Sequence, residues 1–369
     1  MTSDVISCRF CGSDQGDVVV DLGHQPSSEL FPARTDPGPD PTFPVRLWLC
    51  QACGLAQLAD HDDVPEEVVG LEPEALRVQR QESAGWLAES GLIPPGGAVA
   101  EYDSPHGGSW LPQLREAGLI GRVAGPGEAA DLVVDGCFAM MHAADQQAAL
   151  RERAARLRPG GRLVVQFHSL AAIVRLRQWN AIRLGHLAYY STPAMVEMLA
   201  RVGLSAVAAR DFSLYGGTVT LVASRAGVSG NNSVDTLSRY EQVIGVGDAA
   251  RVGELQSHVR PGADALADML REARGRGEVV LGYGAASRAV PLLVLAGIGA
   301  DLLPAVADAS PAKHDLRMPG TDIPVISPDE LTHRRPDTVL LFVPDLLAEL
   351  RRSLPEIEDG DGQWIPALG

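Results

Sequence analysis

Residues 130–167, ADLVVDGCFAMMHAADQQAALRERAARLRPGGRLVVQF, decide the fold. Ala130-Asp131-Leu132-Val133-Val134-Asp135 is a short apolar run of the kind that forms a buried strand. Residues 144–157 carry helical spacing and stop at Pro159-Gly160-Gly161. Arg162-Leu163-Val164-Val165-Gln166-Phe167 is a second apolar run. Strand, helix and strand in that order make a crossover unit of an α/β sheet. Upstream, the pattern predicts a helix over 74–89, a strand over 97–102 and a helix over 111–117. Downstream it predicts a helix over 192–202 with Ser191 as N-cap, then strands near 205–212 and 218–224. Residues 226–234 read as a linker. A long helical stretch over 235–275 leads to a second α/β unit, with strands near 278–283, 303–307 and 337–343. The expected fold class is α/β: a small N-terminal domain (1–72), a doubly wound domain (73–225) and a C-terminal Rossmann-like unit (226–369).

Composition narrows the function. The chain has 369 residues, a net charge of -16 and a mean hydropathy of +0.03. An acidic chain without a basic stripe is not built for nucleic acid or an anionic membrane. No apolar run reaches the ~18 residues that span a bilayer. The first residues lack the basic and apolar regions of a secretion signal, so the expected location is the cytoplasm. Lys313 is the only lysine.

Four of the five cysteines form two pairs, Cys8-Arg9-Phe10-Cys11 and Cys50-Gln51-Ala52-Cys53, each followed by glycine. Two intervening residues let both thiolates of a pair reach one ion from a single turn, at about 2.3 Å. The glycine permits a positive φ that aims backbone N–H groups at sulfur. In a cytosolic chain such pairs read as a metal site, and four thiolates suit structural Zn²⁺ with no open position. A redox pair is the alternative. Cys137, in an apolar run, is expected to be a core thiol.

The order of these parts resembles the deoxysugar C-methyltransferases of antibiotic pathways, over essentially the whole chain. The resemblance is carried by the cysteine pairs, by Leu157-Arg158-Pro159-Gly160-Gly161, by Gly216-Gly217, and by Gly282-Tyr283-Gly284-Ala285-Ala286. It extends to Asp308, Pro311 and Lys313 and to Pro319-Gly320-Thr321 before Ile323-Pro324. It implies S-adenosylmethionine (SAM) as cofactor and methylation at C3 of a nucleotide-linked 4-keto sugar through an enolate.

The departures from that family point away from methyl transfer. The stretch matching the cofactor loop is Glu101-Tyr102-Asp103-Ser104-Pro105-His106-Gly107. Asp103 stands where the resemblance implies a glycine that lets the backbone approach the cofactor, and Pro105 removes an N–H donor. Only 20 residues separate Trp110 from Asp131. A second strand, a helix and a third strand would need roughly 30 or more. The carboxylate that would grip the cofactor ribose at the end of the second strand has no counterpart. Arg183 and Gly185 replace a tyrosine and a glutamate next to the retained His186, Gln166 replaces a glutamate, and Tyr215 replaces a histidine before Gly216-Gly217.

The chain is therefore read as a divergent, SAM-independent member doing acid–base chemistry on a small-molecule intermediate, which a nucleotide-linked keto sugar would fit. The alternatives are a genuine methyltransferase with an unusual cofactor site, and a non-catalytic partner of another pathway enzyme. His186 is the candidate general base, with a retained structural histidine as the bland reading. His142, His168 and Tyr215 are further candidates beside ordinary buried or loop roles, and Arg183 would grip an anionic group or form a plain ion pair. The candidate substrate contacts are Tyr189, Tyr190, Gly216, Gly217, Gly282, Gly284, Ser287, Asp308 and Lys313, since a glycine turn opening a helix can hold phosphate. Ser287 breaks the G-x-G-x-x-G of a nicotinamide site. The degenerate cofactor loop is represented by Glu101, Asp103, His106 and Gly107.

Overall fold

The computed structural model describes residues 5–60, 70–225 and 230–367. Three sheets are formed among the described residues. The N-terminal one is an antiparallel meander of β1 (Gly16–Pro26), β2 (Thr42–Cys50) and β3 (Ala56–Leu58). Register places Gly16 opposite Cys50. Because Cys8 and Cys11 lie just before β1, this pairing carries the first cysteine turn up to the second.

The next seven strands are β4 (Gly97–Glu101), β5 (Ile120–Val123), β6 (Ala130–Asp135), β7 (Leu157–His168), β8 (Ala188–Tyr189), β9 (Ser205–Phe212) and β10 (Thr218–Ser224). Six of them form one sheet in the order β5-β4-β6-β7-β10-β9. Strands β4 to β7 run parallel, and β10 is antiparallel to both its neighbours. The crossover read from 130–167 is present as β6, the helix Gln146–Ala155 and β7. Asp145 caps that helix by accepting from the Ala148 N–H at 2.8 Å. Strand β7 starts earlier than expected because Leu157 already pairs with Ala130 across the loop.

Two expectations need correction. The region between Trp110 and Asp131 does hold a second strand: β5 is four residues long and sits at the sheet edge beside β4. Only the following helix and third strand are missing, since β5 leads directly into β6. The helical stretch over 235–275 is three helices, Ser233–Ile244, Ala249–Gly253 and Gln256–Gly275. Gly245, at φ 94°, ends the first, and the Asp248 carboxylate accepts from Ala250 and Arg251 to start the second.

The C-terminal sheet is parallel throughout, in the order β13 (Val325–Ile326), β12 (Val306–Ala307), β11 (Val280–Tyr283), β14 (Thr338–Leu341), β15 (Gln363–Pro366). The chain is thus mixed α/β with two Rossmann-like units behind a cysteine-rich domain. The parts interlock. Strand β8, from the middle unit, pairs with β3 of the first sheet, Tyr189 opposite Ala56. Trp48, Leu55 and the cysteines pack into the core of β6, β7 and the helix Thr192–Arg201. Val20, Val45 and Leu47 pack with the helices Gln256–Gly275 and Ala289–Ala296. Arg317 grips Asp40 through both guanidinium nitrogens, at 2.7 and 2.6 Å. In an open parallel sheet, ligands bind beyond the strand C-termini, where the strand order reverses. Here those ends of the two Rossmann-like units meet: Tyr215 N donates to Asp345 Oδ1 at 2.9 Å, and Arg288 lies over the Tyr215 ring at 5.2 Å.

Candidate functional site

The cysteine turns converge as the sequence predicts. Cys8 and Cys53 sulfurs stand 3.5 Å apart and those of Cys11 and Cys50 3.6 Å apart. Gly12 and Gly54 have φ of 72° and 75°. Phe10 N and Cys11 N donate to Cys8 Sγ at 3.5 Å. The Cys53 thiol and these N–H groups hold Cys8 down to about 5, while burial raises Cys50 to about 11. A cluster with one thiolate already favoured and three more sulfurs in reach fits tetrahedral Zn²⁺, with Cys8, Cys11, Cys50 and Cys53 as ligands. Cys137 is a buried thiol, as expected.

At the switch point of the middle sheet, between the loops that follow β4 and β6, the crevice is occupied by protein. Arg80, 5% exposed, makes a two-pronged pair with Glu72, both contacts at 2.5 Å, and lies 3.9 Å from Cys137 Sγ. A Cβ at Gly108 would meet all three residues within 3.2 Å, so the loop after β4 rests directly on this plug. The carbonyl of Gly136, just past β6, accepts from both Trp110 Nε1 and Gln166 Nε2 at 2.9 Å. Both its lone pairs are therefore spent. Glu101 caps the helix Leu111–Glu116 by accepting from Ser109 Oγ and Trp110 N. Strand β5 is followed by Ala124-Gly125, and Glu128, which accepts from Gly125 N at 3.0 Å, is paired with Arg122 and Arg158. Asp103 is exposed and Gly107 has φ 70°. The Arg80–Glu72 pair and the Gly108 loop thus pack against each other beyond β4 and β6.

The candidate histidines gather elsewhere. His106 from the loop after β4, His142 from the short helix Ala139–His142 after β6, and His186 from the loop before β8 present ring nitrogens within 4.8 Å of one another. Their ring centroids are 5.0 to 6.0 Å apart. His142 Nδ1 lies 2.8 Å from the Gly185 carbonyl, which can only accept. That contact places the proton on Nδ1 and leaves the lone pair on Nε2, which is buried and without a partner. The Arg183 guanidinium reaches His186 Nε2 at 2.7 Å, so the free lone pair of that ring is occupied. Arg183 also pairs with Glu29 at 3.2 Å, both side chains under 10% exposed. Burial, followed by neighbouring positive charge, lowers His142 to about 4 and His186 well below its ordinary value. Both shifts favour the neutral form of the ring.

The other candidates stand around this cluster. His168 Nε2 lies 3.1 Å from the Tyr215 carbonyl, and burial lowers it to about 3. Tyr215 has φ 58° and stacks obliquely on Phe138. Tyr189 and Tyr190 are core residues. The hydroxyl of Tyr189 accepts from Arg183 N, and that of Tyr190 donates to Gln146. Gly216 and Gly217 serve close packing: a Cβ would lie 2.3 Å from Leu176 and 2.6 Å from Ala172. Gly282 is likewise closed by Val306 and Phe342, while Gly284, at φ 91°, turns the chain beneath Val343. Ser287 is half-buried at the same turn. Lys313 Nζ donates to the Ala285 carbonyl at 2.7 Å, pairs with Asp308 at 3.6 Å and lies 5.0 Å from the Phe31 ring centroid. It thus staples the glycine turn to the loop after β12 and to the N-terminal domain. Sequence reasoning missed Glu29, Glu72, Arg80 and Arg288. Glu29 is 154 residues from its partner and carries no local signal.

The fold and these sites define a cysteine-cluster protein built on two Rossmann-like units. Residues 213–368 match the family model described as "C-methyltransferase C-terminal domain", and residues 8–67 match "Putative zinc binding domain". The chain is 23% identical to "C-methyltransferase NovU" of Streptomyces niveus, across 97% of this chain and 94% of that one. These matches support a C-methyltransferase family. Among solved structures, the chain is similar to magnesium protoporphyrin IX methyltransferase of Synechocystis PCC 6803. The identity is 16%, over 42% of this chain and 90% of that one, with a TM-score of 0.30. It is also similar to a Burkholderia thailandensis 1,6-didemethyltoxoflavin-N1-methyltransferase. There the identity is 15%, over 47% and 96%, with a TM-score of 0.28. Among the described residues no helix is long and apolar enough to cross a membrane.

Proposed function

We propose that this member of the C-methyltransferase family works without SAM and moves a proton on a small biosynthetic intermediate at the three-histidine cluster. The observation that carries the reading is the free lone pair of His142 Nε2, on a ring whose tautomer the Gly185 carbonyl fixes. A positioned neutral imidazole can take a proton from carbon next to a carbonyl, and such a base contributes about 10²–10⁴ in rate. This moves the base from His186, the first choice on sequence, to His142, because Arg183 engages His186. The low basicity of the buried ring makes it a weak base in the free protein. A bound anionic enolate would favour its protonated form. The plug of Arg80 and Glu72 and the missing third strand support the loss of SAM.

The substrate class is a nucleotide-linked keto sugar of antibiotic deoxysugar chemistry, held by the glycine turn at 284–287 and by Arg288, with Lys313 fixing that turn through the Ala285 carbonyl. The decisive experiment has two arms. Calorimetric titration with SAM and its demethylated product is expected to give no heat. Incubation with a nucleotide-linked 4-keto sugar in D₂O is expected to put deuterium at C3, at least 100-fold more slowly in His142→Ala, the low end of the range above. Micromolar SAM binding would reinstate methyl transfer, which the resemblance to a C-methyltransferase and the retained Glu101 cap favour as the second reading. Equal exchange in wild type and His142→Ala would remove His142 as the base.

A further inference from the structure

We propose that His106, His142 and His186 form a second metal site, distinct from the four cysteines, which takes a borderline divalent cation such as Zn²⁺ and leaves one coordination position open to water. Three ring nitrogens from three separate segments lie within 4.8 Å of one another. Tetrahedral coordination at about 2.0–2.1 Å from the ion sets nitrogen–nitrogen separations of about 3.4 Å, so the rings need to close by roughly 1 Å. His106 is exposed, so a change of its side-chain rotamer can supply that movement. His142 has the outer partner that metal-binding histidines use: its second nitrogen is held by a backbone carbonyl, and the ligand nitrogen is buried with nothing bound to it. Imidazole suits Zn²⁺, Co²⁺, Ni²⁺ and Cu²⁺ rather than Mg²⁺ or Ca²⁺.

The Arg183 guanidinium now holds the place of a cation at His186 Nε2. It can leave without being stranded, because its other terminal nitrogen already contacts Glu29 Oε1 at 3.2 Å and the Leu184 carbonyl at 3.4 Å. Glu29 then balances positive charge beside the ion. Three histidine ligands with a free fourth position is the arrangement of a catalytic rather than a structural site. The inference deepens the proton-transfer reading and rests on the same cluster. With the ion bound, water at the open position takes the role of base in place of the His142 lone pair, since metal binding lowers the pKa of water to about 7.

The test uses the whole chain, equilibrated with Zn²⁺ and desalted, with zinc counted by elemental analysis. Two zinc ions per chain are expected in the wild type and one each in His106→Ala and His142→Ala. The affinity loss at the second site should exceed the roughly 10–100-fold that removal of an outer partner costs. Titration with Co²⁺ should add d–d bands without further thiolate-to-metal charge transfer. His106 is on an exposed loop, so His106→Ala should keep the wild-type circular dichroism. One zinc in the wild type, or a second zinc retained by both variants, overturns the site. In that case proton transfer through His142 stands or falls separately on the deuterium exchange. A second zinc without exchange would leave the metal site standing and remove the acid–base reading.

Discussion

Replacing Cys50 by Ser tests whether the cysteine cluster supports only its own domain or the whole fold. Serine supplies no thiolate, so Zn²⁺ would keep three ligands. Structural zinc contributes about 10–16 kcal/mol of folding free energy in small finger peptides at pH 7. The turns that carry the cysteines also hold Phe10, Trp48 and Leu55, each at most 2% exposed, against Met195, Met198, Leu199 and Tyr190. Fully burying side chains of this size is worth about 1.5–3 kcal/mol each, so these three account for roughly 5–9 kcal/mol. That is comparable to the roughly 5–15 kcal/mol by which a domain is stable at all. The loss should therefore reach the middle Rossmann-like unit. We expect Cys50→Ser to lose the zinc of the cysteine cluster and to melt at least 10 °C lower, a shift equivalent to several kcal/mol. Proteolysis should cut within 192–201 and 157–168 as readily as near the cysteines. Elemental analysis, a thermal melt and limited proteolysis with mass mapping read all three. Retention of the cysteine-bound zinc, or loss of zinc with an unchanged melt for the rest of the chain, would refute the shared-core argument.

Three further outcomes follow from single contacts. Asp40→Asn removes the charge from a pair whose side chains are 10% and 5% exposed, and should cost about 3 kcal/mol at pH 7 by denaturant titration. Arg317 holds the Asp40 carboxyl below its ordinary value, so its contribution is present above the usual aspartate pKa of about 3.9 and disappears as pH falls through the lower folded value. The difference between wild type and variant should shrink in that acid window and nowhere else; a gap that stays constant into acid would exclude the ion pair as its source. Gly136→Ala puts a methyl group 2.3 Å from the Trp110 indole, and should destabilise by about 1–3 kcal/mol with a shift in tryptophan fluorescence. No change in either would mean that Trp110 is not packed on the end of β6. In an Arg80→Met, Glu72→Gln double-mutant cycle, the coupling should be about 1 kcal/mol or more, because Arg80 is buried although Glu72 is partly exposed. Zero coupling would show that the two side chains do not close the crevice together.

The sequence made the architecture legible wherever one element announces itself locally. The crossover at 130–167, the cysteine turns and the glycine turn at 284 each depend on residues within a few positions of one another. What it hid was long-range or short. Strand β5 escaped because its four residues show only one buried side chain, Ile120, and an edge strand needs no apolar alternation. The break at Gly245 escaped because helical spacing resumes within a few residues. At the site, the histidines were visible as residue types, but their ranking was not. It depends on which ring meets a carbonyl and which meets a guanidinium, contacts that span 43 residues for His142 and three for His186. The plug combines Glu72, Arg80, Gly108 and Cys137, and nothing in a linear reading joins them.

The two crevices explain each other. In the middle unit, the segments after β4 and β6 carry His106 and His142 beside the Arg80–Glu72 pair, while the opposing C-terminal unit presents its glycine turn. Arg288 and Lys313 stay on that side, and Lys313 is close enough to lower the basicity of His106. An anionic group held there would counter this positive charge. By the same electrostatics it would raise the proton affinity of all three histidines. Burial and cation repulsion favour the neutral rings of His142 and His186 in the free protein, so substrate binding itself would tune the base upward. The cluster should therefore show a different apparent pKa with and without a bound nucleotide. Proton NMR of the ring C–H signals, recorded over pH 4–8 with and without a nucleoside diphosphate, reads this directly. An upward displacement with nucleotide is the expected result, and titration curves that coincide would separate the C-terminal crevice from the histidines.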